Sequence, residues 1–328
     1  IAARPYYNNG YYDSQITNAY LLNNVDGFKQ NGYYYAITAK LAKDFNWGLS
    51  ANISYTYADA RVVIDGIGDQ PGSAWKGLIS QYGTNNRELG YASYVMPHRI
   101  VANVSYSKDY AKYFGTSVSL SYYGSAKGRA NADYYSNVYG DGAYNYSLID
   151  IPTLEDLKGA DGWGKGNWQF KEYEDKEGNV YSAEQQCQDL WSFIQSDSYL
   201  RKHTGKIAER YSIVAPWRST FDLKVNQNFY FFTGANHKKH TIQLGVDVEN
   251  FANLFNPYWG NAWTANASDG YGNILPLTLL NAKSVYTEGA KPQFQYQKNG
   301  TETLTKAFSR YNSSSSTWNI ILSLRYIF

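Results

Sequence analysis

Four histidines are the first place to look for chemistry in this 328-residue chain: His98, His203, His237 and His240. Only the last two are close in sequence. His237-Lys-Lys-His240 could offer two imidazoles to a metal, but it falls in a short turn, and a solvated turn accounts for it. Acidic turns such as Asp141-Gly142 and Asp175-Lys-Glu-Gly178 could ligate calcium, yet they lack the regular oxygen spacing of a calcium loop. The single cysteine, Cys187, excludes an intrachain disulfide and a cysteine-ligated cluster. With no histidine near it in sequence, it reads as a small half-buried apolar residue rather than a nucleophile. No Gly-x-Ser-x-Gly, phosphate loop or paired-histidine helix occurs. The expectation is therefore no enzyme, no metal and no cofactor.

Binding chemistry is better represented. The connection 128–216 carries Trp163, Trp168, Tyr173, Tyr181 and Trp191, and a later one carries Trp259 and Trp263. These rings could form an aromatic platform for a peptide or glycan, or a mini-core that folds the loop. Ser182-Ala-Glu-Gln185 reads as a capping box opening a short helix. Leu190, Trp191, Phe193 and Ile194 give that helix an apolar face.

The elements that must position these loops are strands. In the last eleven residues Trp318, Ile320, Leu322, Leu324, Tyr326 and Phe328 share one face. The other face mixes Asn319, Ser323 and Arg325 with Ile321 and Ile327. The same period of two recurs at residues 33–45 and 47–57, with Tyr33, Tyr35, Ile37, Ala39 and Leu41 opposed by Tyr34, Ala36, Thr38 and Lys40. Two further hairpins are expected, 100–110 with 116–124 and 221–231 with 241–250. In the latter, Phe221, Leu223, Val225, Phe229 and Phe231 oppose Asp222, Lys224, Asn226 and Asn228. Residues 15–24 are the weakest strand candidate, because Tyr20 and Leu22 alternate only loosely with their neighbours.

Composition fits strands that cross a bilayer. There are 34 Tyr, 9 Trp and 14 Phe beside only 18% charged residues, and mean hydropathy is negative. No run approaches the ~18 apolar residues of a membrane helix, so any crossing must be made by a closed barrel of strands. Net charge is +2 with scattered basic residues, which leaves no footprint for nucleic acid. Turns near 44–47, 110–115 and 232–240 are short, while the connections 63–96, 128–216 and 254–313 are very long. Short turns on one rim and long loops on the other form the outer-membrane pattern.

Residues 31–45, continuing through Trp47 to Ala60, resemble a barrel hairpin of Bacteroidetes TonB-dependent outer-membrane receptors of the Oar-like type. So do Glu88-Leu-Gly-Tyr91 with Pro97-His-Arg-Ile-Val-Ala102, the run Tyr199-Leu-Arg-Lys-His-Thr-Gly205 with Ala208-Glu-Arg210 and Ala215-Pro-Trp217, and residues 247–256. Leu324-Arg-Tyr-Ile-Phe328 is similar to the C-terminal signal read by the barrel-assembly machinery, carried by Leu324, Tyr326 and Phe328.

The resemblance implies an all-β fold: residues 1–328 form the C-terminal portion of an antiparallel transmembrane β-barrel, about eight strands of twenty-two, with long extracellular loops. The plug domain and N-terminal strands would lie in sequence not included. The N-terminus carries neither a start methionine nor a signal peptide, so either a signal has been removed or the chain is a piece of something longer. The implied protein is an importer of the Gram-negative outer membrane, taking up an unidentified nutrient. Its partners would be outer-membrane lipid, the TonB complex through the plug, the assembly machinery and a surface lipoprotein. The alternative is a structural or adhesive protein whose small barrel anchors the surface loops.

Overall fold

Alternation of large apolar with small polar residues produces the dominant element, an antiparallel meander of long strands. A computed structural model describes residues 32–64, 69–84, 86, 88–138, 147–175, 177–268, 272–314 and 316–328. The long strands are β1 (Tyr33–Asp44), β2 (Leu49–Val62), β3 (His98–Tyr110), β4 (Phe114–Ser125), β5 (Arg218–Thr233), β6 (Lys238–Glu249) and β7 (Asn319–Ile327). Each lies beside its sequence neighbour, and the two-residue strand Gly90–Tyr91 adds to β2, giving eight strands in all. Among the described residues the sheet is open, with β1 and β7 as its edges. The candidate strand 15–24 and the turn Asp141-Gly142 lie outside the described residues. No described helix is long and apolar enough to cross a membrane.

Register aligns the alternation of every strand. Leu41 pairs with Ile53, Ile53 with Ala102, Ala102 with Tyr122, and Tyr122 with Phe221. Val225 then pairs with Val246 and Val246 with Leu322, so one apolar face runs unbroken from edge to edge. Most of its aliphatic side chains are exposed, Leu41, Leu322 and Leu324 on the edge strands by 72%, 76% and 71% and Leu244 between them by 47%, whereas Val248 is buried. Lys108, Thr116 and Gln227 form one polar row on the same face near the short-turn rim, where Thr116 Oγ1 donates to Gln227 Oε1 at 2.6 Å.

The opposite face is small and hydrogen-bonded side to side. Asn103 Nδ2 donates to the hydroxyls of Ser119 and Ser121 at 2.9 Å, and Gln243 Nε2 donates to Asn228 Oδ1 at 2.9 Å. Lys224 Nζ sits 2.9 Å from the Asp247 carboxylate. Such cross-strand polar pairs satisfy groups that would otherwise need water.

The expected rim asymmetry is present. Hairpin turns 45–48, 111–113 and 234–237 close one edge of the sheet. The turn into β2 requires glycine, because Gly48 has φ +95° and its carbonyl accepts the Ser107 amide at 2.9 Å, so close that a Cβ would meet the Ser107 carbonyl.

On the other edge the three long connections fold together into a cap with its own core. A second, six-stranded sheet organises it. Arg129–Tyr134 pairs parallel with Asn273–Leu279 and antiparallel with Ile213–Val214 and Ser147–Leu148. Gln293–Tyr296 extends the sheet and pairs with Gln169–Phe170. Helix α1 (Ala183–Ser196) packs beneath this sheet through Cys187, Leu190, Phe193 and Ile194, all buried. Its entry differs from the expected reciprocal box. Ser182 Oγ accepts the Gln185 amide at 3.2 Å, but the Gln185 side chain reaches forward to Asp189 at 2.9 Å, so only half the box forms.

Candidate functional site: the aromatic clefts at the cap rim

The seven loop rings divide into two groups. Trp168 and Tyr181 are 3% and 4% exposed and belong to the cap core, with Trp163, Tyr173 and Trp191 packed partly against it. Trp168 stacks on Phe294 with centroids 4.3 Å apart, and the Tyr181 hydroxyl donates to Asp189 at 2.6 Å. Burial, with the Asp189 carboxylate beside it, pushes the Tyr181 phenol well above its usual range. These contacts leave Trp168 and Tyr181 no open ring face. Trp259 is 53% exposed, and Trp263 stands between two clefts.

One cleft, of about 630 Å³, is lined by Lys127, Arg129, Trp263, Asn299 and Phe308 among others. The second, of about 380 Å³, is lined by Trp217, Arg218, Trp259, Trp263, Arg310 and Phe221 among others. Both owe their shape to pairing of Ala262–Ala265 with Phe308–Tyr311, which sets Trp263 opposite Arg310. The Arg310 guanidinium lies 5.1 Å from the Trp263 ring centroid. Arg218 Nε donates to the Gly260 carbonyl at 2.8 Å.

A charged lock fastens cap to sheet. The Tyr91 ring has the Arg61 guanidinium at 3.9 Å and the Arg129 guanidinium at 4.4 Å. Arg61 also pairs with Glu209 at 2.6 Å, while Arg129 donates to the Tyr211 carbonyl at 2.9 Å. Arg210, 1% exposed, donates to the carbonyls of Val62 and Val63. Nearby, burial raises the Glu88 carboxyl above the usual range, against hydrogen bonds from Gln81 and Asn86. Two cations sharing one ring and two buried backbone anchors read as a structural joint.

Other chemical candidates are occupied structurally. The Asp175 carboxylate accepts from the amides of Glu177 and Asn179 at 3.1 and 2.8 Å and from Lys298 Nζ at 2.7 Å. The Lys298 ammonium and the Asn179 amide hold this carboxyl down at about 2. Such a carboxylate closes its own turn. Burial pushes the Cys187 thiol up to about 12, so its thiolate is scarce at neutral pH. His240 and His237 stay on the short-turn rim, far from the cap. Among the described residues no group of three metal-ligating side chains assembles.

Sequence reasoning found Trp259 and Trp263 but not their companions Trp217, Arg218 and Arg310. A signal existed for one pair: Trp217 and Arg218 stand together at the start of β5, an interfacial ring next to a cation. Nothing local marks Arg310, which reaches the cleft only through strand pairing. Comparison with family models, curated proteins and solved structures finds no match.

Proposed function

We propose that this chain is barrel wall and outer loops of a TonB-dependent outer-membrane transporter, with the apolar sheet face turned to lipid and the Ser/Asn/Thr face lining the lumen. The observation that carries the membrane reading is the banding of the apolar face. Phe45, Trp47, Tyr106, Tyr110, Phe114, Phe229 and Tyr326 stand toward the short-turn rim. Tyr33, Tyr35, Tyr55, Tyr57, Tyr122 and Phe221 stand toward the cap, with aliphatic side chains between. From Phe221 to Phe229 is eight residues, ~27 Å along the strand or ~21 Å after a barrel tilt of ~40°, close to the ~25 Å apolar band of such barrels.

Two edge strands exposed on both faces support closure with further strands, since an uncovered edge of this length invites pairing. In the transporter reading substrate enters through the cap and energy arrives from the TonB complex through a plug. The barrel-assembly machinery reads β7, and a surface lipoprotein is a candidate partner at the cap. A second reading, a surface protein whose barrel anchors a folded cap, is favoured by the burial of Trp168 and Tyr181 in a core rather than on a binding platform.

Growth of a deletion strain on single peptides, glycans or chelates separates the two. Loss of growth on one nutrient class, restored by the gene but not in a strain that lacks the TonB complex, supports import. Normal growth on every class, with lost surface attachment, would leave only the anchor.

A further inference from the structure

We propose that the cleft walled by Trp217, Trp259 and Trp263 and flanked by Arg218 and Arg310 holds the phosphate-bearing headgroup of a membrane lipid, whose acyl chains lie down the apolar face of β4 and β5. The proposal rests on the membrane reading above. Three features point to this occupant. The cleft floor is Phe221 and Ser219, which share the face of Leu223 and Val225, so the cavity opens directly onto the aliphatic band. Tyr122 and Phe221, 4.9 Å apart, form the step between cleft and band.

The charge also matches. The lining contains two guanidinium groups and no carboxylate. Arg218 uses Nε on the Gly260 carbonyl and has the Asp222 carboxylate in its electrostatic reach, while among the described residues its two terminal nitrogens make no hydrogen bond, leaving a fork suited to phosphate oxygens. Arg310 is held over Trp263 and by the Tyr258 carbonyl, which fixes its direction. Finally, the indoles are amphipathic. Trp217 Nε1 donates to Ser219 Oγ at 3.1 Å and Trp263 Nε1 to the Trp217 carbonyl at 3.4 Å, which leaves their carbon faces for acyl chain and glycerol or sugar. A soluble peptide would use the charges but not the apolar step below them.

The test uses the full protein in detergent, titrated with diphosphoryl lipid A and with the same lipid stripped of phosphate, read by native mass spectrometry. The phosphorylated lipid should bind at least about tenfold more tightly, and Arg310→Gln and the Arg218→Gln/Arg310→Gln double variant should remove that preference. Equal affinity for the two lipids, or a preference unchanged in both variants, overturns the proposal. Displacement of the lipid by millimolar inorganic phosphate would also overturn it, showing a simple anion site. If the double variant does not fold, the single change Arg310→Gln, at an exposed position, decides between these outcomes. Flotation of the protein with liposomes tests the membrane reading separately: a protein that does not float sinks that reading whatever the titration gives.

Discussion

The rings of His240 and Tyr326 lie 4° from parallel with centroids 5.8 Å apart, and the Tyr326 hydroxyl shares a 2.6 Å hydrogen bond with His240 Nδ1. Thr233 Oγ1 takes the other ring nitrogen at 2.7 Å, and Phe231 stacks on the imidazole at 5.1 Å. With Phe328 lying 5.6 Å beyond Tyr326, four rings from β5, β6 and the chain's last residues make one stack. A metal at His240 would have to break two hydrogen bonds, whereas the stack explains why an imidazole stands at this position of the girdle.

The two faces of the long-strand sheet should respond oppositely to charge. Leu244→Arg or Val246→Arg places a cation in the aliphatic band, at a cost of about 2–4 kcal/mol in a bilayer. Ser117→Asp, on the other face, should be tolerated. Asp247→Asn, on that same face, should cost more than Ser117→Asp, because it takes the carboxylate from Lys224. Urea unfolding in lipid vesicles measures all four. Equal damage by Val246→Arg and Ser117→Asp would mean both faces are packed and would end the membrane reading.

The cap should loosen in acid through Asp175. Its folded carboxyl titrates at about 2, below its ordinary value, so the contribution to stability is complete above the usual carboxylate range and is lost as pH falls from about 4 toward 2. Hydrogen exchange of residues 173–181, compared between parent and Asp175→Asn, checks the sign. The parent should be better protected at pH 6, with the difference vanishing near pH 2. A difference that grows in acid would refute the assignment.

The cap core makes two matched predictions. Trp168→Ala removes the ring on Phe294 and should cost about 3–5 kcal/mol, while Trp259→Ala, half exposed, should stay within about 0.5 kcal/mol. Cys187 reports the result directly: buried, with its thiol pushed up to about 12, it should resist maleimide at pH 8 in the parent and react after Trp168→Ala. Fast labelling of the parent would show that the cap is not a packed body.

Orientation is tested on intact cells. If the cap is outside, a lysine-specific protease should cut at exposed Lys165 or Lys171 and leave Lys43, Lys112 and Lys239, at the short turns, untouched. Cutting that requires opening the outer membrane would invert the topology.

Much of the long-strand sheet was legible because period two is a local signal repeated over twelve or more residues, as in β1 and β2. The cap was not. Its strands are often two residues long, too short to show a period, and Asn131 meets Asn273 only through pairing across the whole cap. The helix was legible from Ser182 and its apolar stripe. The division of the tryptophans was not, since burial depends on partners such as Phe294 that lie far away in sequence.

Phe328 is 78% exposed, stacked on Tyr326 and approached by Lys238 Nζ at 5.6 Å, so its deletion removes one interfacial ring and no core contact. The loss is at most a few kcal/mol of lipid burial, on the order of one aromatic side chain, which a large sheet should survive. Leu324, Tyr326 and Phe328 matter for another reason if the assembly machinery reads them. The full protein without Phe328 should then be scarce in the outer membrane and degraded in the periplasm, yet refold in detergent nearly as well as the parent. Normal surface abundance would remove the signal role from these residues. Failure to refold would make Phe328 a packing residue instead, with the stack on His240 as the structure it completes.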